Sequence, residues 1–150
     1  MDMKEFTKCM AVRRAADKRP DNLAGMGSSV GSWPKVFICA PYDPEVRKSW
    51  EKIWWYCRFA LEYRCIPVAP EWYFSLFMLV EPDQPEKDMA DVFALKALVD
   101  CDEVWVFGNE FTPLMKRALM LAGLKGKFVR YFPDWEEVQK EYCKEDCENE

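Results

Sequence analysis

The chain is 150 residues long, 50% apolar and 31% charged, with ten prolines and six glycines. That is about one domain's worth of sequence, with enough apolar mass for a real core, and it excludes disorder throughout. There is no histidine, which removes Ser-His-Asp triads, Cys-His pairs, His-ligated zinc and the His-based deaminase signature. The 26 acidic and 21 basic side chains leave a net charge of −5, so neither nucleic acid nor a membrane surface is an expected partner. Chemistry here must rest on carboxylates, tyrosines, lysines or thiols.

Residues 1–34 hold six basic and four acidic side chains and end in Gly25, Gly27, Ser28, Ser29, Gly31 and Ser32, the composition of a flexible leader and linker. The Gly25-x-Gly27-x-x-x-Gly31 spacing precedes a strand and has no Lys-Ser/Thr, so it reads as linker rather than phosphate loop. No apolar run reaches the roughly 18 residues of a membrane helix, and no secretory signal opens the chain. A cytoplasmic protein is expected.

Val36 to Ala40 is a short apolar run that reads as the first strand, ended by Pro41. Asp43 then stands as N-cap with Pro44 at the first helical position, and Val46, Trp50, Ile53, Trp54, Cys57 and Leu61 predict a helix to about Arg64. Cys65 to Ala69 is the second strand, stopped by Pro70, and the aromatic stretch from Trp72 to Val80 is a short helix or a packed loop. A further helix runs from about Pro85 to Asp100, its apolar positions Met89, Val92, Phe93, Leu95, Leu98 and Val99 covering more than one face. Glu103 to Phe107 is the third strand, ended by Gly108. Thr112 caps the next helix with Pro113 at its start, Met115, Ala118, Leu119 and Ala122 on one face, and Gly123 as its stop. Lys127 to Phe132 is the fourth strand, after which Asp134 and Glu137 give a capping-box spacing for a last, acidic helix in residues 134–150.

Alternating strands and helices predict an α/β three-layer sandwich: a flavodoxin- or Rossmann-like parallel sheet of about four strands with helices on both faces, occupying residues 35–133. Of the seven cysteines, Cys39, Cys57, Cys65 and Cys101 sit in or beside apolar runs and read as buried thiols in a reducing compartment. Cys143 and Cys147 have no second pair and no histidine to complete a zinc site, so no metal and no cofactor is expected. Trp50, Trp54 and Trp105 lie at helix or strand spacing and read as core.

Ligands bind beyond the carboxyl ends of such strands. That singles out Pro41-Tyr42-Asp43, Pro70-Glu71-Trp72-Tyr73 and Gly108-Asn109-Glu110-Phe111-Thr112. Each segment carries a carboxylate, the group that can attack an anomeric carbon by stabilising its oxocarbenium-like transition state. Each carboxylate also has a purely structural reading: Asp43 as helix cap, Glu71 as solvated loop acid, Glu110 as a charge before a helix N-terminus. Trp72 and Tyr73 either stack on a base or pack against the domain.

The segments Val36-Phe37-Ile38-Cys39-Ala40-Pro41-Tyr42, Tyr56-Cys57-Arg58-Phe59-Ala60, Cys65-Ile66-Pro67-Val68-Ala69-Pro70, Cys101-Asp102-Glu103-Val104-Trp105-Val106-Phe107-Gly108 and Val129-Arg130-Tyr131-Phe132 resemble, in order, the nucleoside 2-deoxyribosyltransferase-like families, including small phage and bacterial proteins of that fold. The resemblance covers about residues 35 to 132. It implies a nucleoside or nucleotide ligand, cleavage or exchange of an N-glycosidic bond, and a homo-oligomer. It also implies a nucleophilic glutamate early in the helix after the third strand, and there this chain has Ala118; Asn109 stands where relatives often have aspartate, and Glu71 where they often have histidine. The catalytic candidates are therefore Glu110 and Glu71, with Tyr42, Asp43, Trp72, Tyr73, Gly108, Asn109 and Thr112 as ligand-binding candidates and Tyr42 orienting the nucleophile. A binding or sensor module of the same fold that does not turn its ligand over, and an interaction protein using its charged ends, are the alternatives.

Overall fold

Four short β-rich runs pair in parallel in the computed structural model, which describes residues 33–134 and Glu136. In chain order the elements are β1 (Lys35–Cys39), α1 (Arg47–Glu62), β2 (Ile66–Val68), α2 (Pro70–Ser75), α3 (Gln84–Val99), β3 (Glu103–Phe107), α4 (Pro113–Leu124) and β4 (Phe128–Phe132). The glycine-spaced leader, the Cys143–Cys147 pair and nearly all of the expected acidic helix lie outside the described residues.

The sheet order is β2-β1-β3-β4. β1 and β3 are central and buried on both faces after their first residue, whereas β2 and β4 are edges with partly exposed side chains. Register runs Phe37 opposite Val104, Cys39 opposite Val106 and Phe107 opposite Phe132. Pro67, which has no N–H, is tolerated because β2 is an edge; the Ile66 N–H donates inward to the Pro34 carbonyl at 2.8 Å.

Alternating side chains send the two halves of each central strand to opposite layers. On one face Val36, Ile38, Trp105 and Phe107 pack under α1 through Ile53, Tyr56, Phe59 and Ala60. On the other, Phe37, Cys39, Val104 and Val106 meet Leu98 of α3 and Met115, Ala118 and Ala122 of α4. This is the expected three-layer α/β sandwich, Rossmann-like, with helices on both faces. No helix among the described residues is long and apolar enough to cross a membrane.

Several boundaries differ from the sequence expectation. Asp43 does not cap α1: its carboxylate accepts from the Glu45 N–H at 3.0 Å and its carbonyl from the Val46 N–H at 3.0 Å, so a separate turn spends the cap residue before the helix begins at Arg47. α4 runs through Gly123 and ends a residue later; the left-handed residue after it is Gly126, at φ 67°, with the Lys127 N–H closing on the Ala122 carbonyl at 2.8 Å. The Thr112 cap falls where expected, and α3, expected from about Pro85, begins a residue earlier under a cap not read from sequence, Asp83. Thr112 accepts from the Met115 N–H, and Asp83 accepts from the Glu86 N–H. α3 is less enclosed than its apolar pattern suggested, since Met89, Val92 and Val99 are exposed. Trp105 is buried, but Trp54 is only half-buried and Trp50 lies 39% exposed against Trp72.

Candidate functional site

The strand order reverses between β1 and β3, and the loops after β1, β2 and β3 meet at that carboxyl edge. Two depressions open there, one on either side of the first loop. The smaller, about 260 Å³, is lined by Pro41, Gly108, Asn109 and Glu110 with Lys48 and Lys52 of α1. Gly108 takes φ 84°, a left-handed conformation that favours glycine, and turns the chain out of β3. The larger, about 440 Å³, lies against α2 and α3 and is lined by Tyr42 and Asp43 from the first loop, Glu71 and Ser75 from α2, and Lys87 and Asp91 from α3. Its volume is within the range of small-molecule sites, roughly 300–1,000 Å³.

The two candidate glutamates are thus separated. Glu110 is exposed at the smaller cleft. Glu71 enters the larger one because Pro70 starts α2 at the end of β2 and leaves the next side chain in the first turn, facing inward. No hydrogen bond or ion pair from a described residue holds its carboxylate. Burial pushes its pKa up from 4.5 to about 7, and the nearby Asp91 carboxylate adds to the rise. A protein carboxyl that is mostly desolvated, unpaired and open to a cavity is in the environment that prepares an acid, base or nucleophile for work near neutral pH.

Its surroundings are fixed by neutral bonds. The Ser75 hydroxyl donates to the Trp72 carbonyl at 2.6 Å. With its one proton spent there, Ser75 Oγ accepts from the Tyr42 hydroxyl at 2.7 Å, which ties the first loop to α2. Burial raises the Tyr42 pKa, and the Glu71 and Asp43 carboxylates add to the rise. Asp91 pairs with Arg117 of α4 at 3.2 Å. Burial, with a smaller push from Glu71, raises the Cys39 thiol to about 12; Cys57 also rises to about 12 and Cys101 to about 11 by burial, so these thiols stay protonated and are not nucleophiles. Among the described residues no three Cys, Asp or Glu side chains gather as a metal-ion site.

The remaining candidates are dispersed. Gly108 and Asn109 line the smaller cleft, and the Thr112 hydroxyl is spent capping α4. Trp72 turns toward Trp50 of α1, and Tyr73 packs on Phe77 and Phe93; neither lines either cleft. Ala118, 1% exposed, faces the sheet within the core. Sequence reading missed Ser75, Lys87 and Asp91. For the last two a signal was present: Lys87, Ala90 and Asp91 recur at three and four on α3, a polar stripe around a small residue.

No curated protein and no solved structure matches the chain significantly. A family model does, over residues 34–132, which is the whole of the sheet and the helices around it. The chain therefore belongs to the family described as Domain of unknown function (DUF7768).

Proposed function

We propose that the cavity around Glu71 binds a nucleoside or nucleotide, and that Glu71 attacks the anomeric carbon to cleave or exchange the N-glycosidic bond. The observation that carries this reading is the Glu71 carboxyl, without a partner among the described residues and held in a 440 Å³ cavity at the strand ends of a Rossmann-like sheet. The resemblance to the nucleoside 2-deoxyribosyltransferase-like families supplies the substrate class. Attack needs the ionised carboxylate, and Tyr42, fixed by Ser75, borders it and orients the sugar or the nucleophile. The thiol-rich composition supports a reducing, cytoplasmic setting, and the resemblance supports a homo-oligomer.

The test is chromatography of bases released or exchanged from deoxynucleosides, nucleotides and dinucleotides incubated with the purified chain. Release should fall about a hundredfold or more in Glu71→Gln, survive Glu110→Gln, and rise in the wild type as pH passes through about 7. Full turnover by Glu71→Gln overturns the assignment. One observation favours a second reading, a binding module without turnover: position 118, where the resemblance places the relatives' nucleophile, is a core alanine. Saturable binding with no base release from any substrate would establish that reading instead.

A further inference from the structure

Breaking the glycosidic bond of a neutral nucleoside asks two things of a protein at once, a carboxylate at the anomeric carbon and an acid that protonates the departing base. Among the described residues, Glu71 is the carboxyl of this cavity that is both largely buried and unpaired. Asp91 is bound to Arg117 at 3.2 Å. Asp43 accepts the Glu45 N–H within its own turn, and Tyr42 gives its proton to Ser75. Lys87 and Glu45 stand exposed at the mouth. Around the cavity there are four carboxylates, Asp43, Glu45, Glu71 and Asp91, to two cations, Lys87 and the Arg117 guanidinium that pairs with Asp91. Such a lining repels a phosphate and attracts positive charge, the more so where protein walls reduce screening.

Resting on the N-glycoside reading above, we propose that this cavity takes an unphosphorylated N-glycoside whose base already carries a positive charge, of which an N-ribosyl pyridinium is the simplest. Such a substrate needs no acid to protonate its leaving group. The C1′–N bond breaks with its electron pair passing to the ring nitrogen, which becomes neutral, while a Glu71 Oε forms the new bond to C1′. Water then adds at C1′, its oxygen replacing the carboxylate, and its proton is released; the products are the free sugar, the neutral base and one proton. Nothing is oxidised or reduced. The substrate's positive charge also approaches a carboxylate that has no partner among the described residues, so the ligand compensates the charge of Glu71.

Three probes on the full chain test this: nicotinamide riboside, its 5′-monophosphate, and the neutral nucleoside inosine. Binding is measured by calorimetry and base release by chromatography, for wild type, Glu45→Lys and Glu71→Gln. The riboside should bind at least about tenfold more tightly than either other probe. Nicotinamide should be released by wild type and not by Glu71→Gln, with unchanged circular dichroism showing that variant folded, and Glu45→Lys should narrow the preference several-fold. Inosine bound and cleaved as well as the riboside overturns the inference while leaving the N-glycoside reading intact. Equal binding of the 5′-monophosphate overturns it by refuting the charge argument. Binding of none of the three overturns that reading and this inference together.

Discussion

A glutamate that loses water without gaining a partner is penalised whenever it ionises, and at Glu71 that penalty has a sign that can be worked out. Its folded pKa, about 7, lies above its ordinary value of 4.5, so the folded state holds the proton more tightly than the unfolded chain does. Below pH 4.5 both states are protonated and the position costs nothing. Between pH 4.5 and 7 the unfolded chain ionises first, and stability declines as pH rises, levelling off above about 7. The shift corresponds to roughly 3 kcal/mol at full ionisation. Glu71→Gln should therefore unfold at higher urea than wild type at pH 8, by up to about that amount, with the difference vanishing at pH 4. Urea titrations at both pH values check it. A stabilising substitution that abolishes function is the mark of a residue kept for its chemistry. Sequence placed this residue at a strand end as one of two catalytic candidates; it could not choose between Glu71 and Glu110, because burial and the lack of a partner among the described residues are properties of the assembled loops.

At the scale of elements, local chemistry was legible wherever a single residue type decides the backbone. Thr112-Pro113 starts α4 where expected, and Glu103–Phe107 is β3 to the residue. The misreadings were of competition between neighbours. Asp43 has the side chain of a cap but spends it on the turn before α1, and Gly123, the expected stop of α4, lies inside the helix while Gly126 turns the chain three residues later. Their backbones separate them. Gly126 has φ 67°, where a side chain is strained, while a Cβ at Gly123 would meet nothing within 4 Å. Gly126→Ala should destabilise the domain by about 1 kcal/mol, and Gly123→Ala should stabilise it by up to about 1 kcal/mol through helix propensity. Thermal unfolding of the two variants side by side decides it, since opposite shifts are required. The aromatic stretch after Pro70 has no clear period and fits either helix or loop; in the structure Pro70–Ser75 is helical, with Phe74 buried and Tyr73 exposed, both against Phe77 and Phe93.

For the whole molecule, strand alternation alone was enough to predict a parallel sheet between two helical layers, because both central strands read as continuous apolar runs. What sequence could not supply was which helix face meets which layer. Ala118 illustrates the difference. By the resemblance to the nucleoside 2-deoxyribosyltransferase-like families it reads as a vacated catalytic position, yet here it is packed with Phe37, Val104 and Val106 in the layer beneath α4. Ala118→Glu should accordingly bury a carboxylate and cost about 3 kcal/mol or more, seen as a large loss of folded protein in urea titration, without creating activity. The two clefts likewise exist only after assembly, since each draws walls from segments far apart in sequence, such as Tyr42 with Asp91 and Pro41 with Glu110.

The proline in β2 has a consequence beyond its own strand. In a parallel edge strand successive N–H groups point alternately inward and outward, and Ile66 donates inward to Pro34. The position whose donor would face outward is the next one, Pro67, and it has none. With only three residues in the strand, that rim presents no outward N–H at all. A second β-segment approaching there finds carbonyls but nothing to receive its own, so strand addition is blocked on this side. Growth that can proceed from one rim only cannot propagate, which protects a short, strongly apolar parallel sheet from stacking edge to edge into fibres.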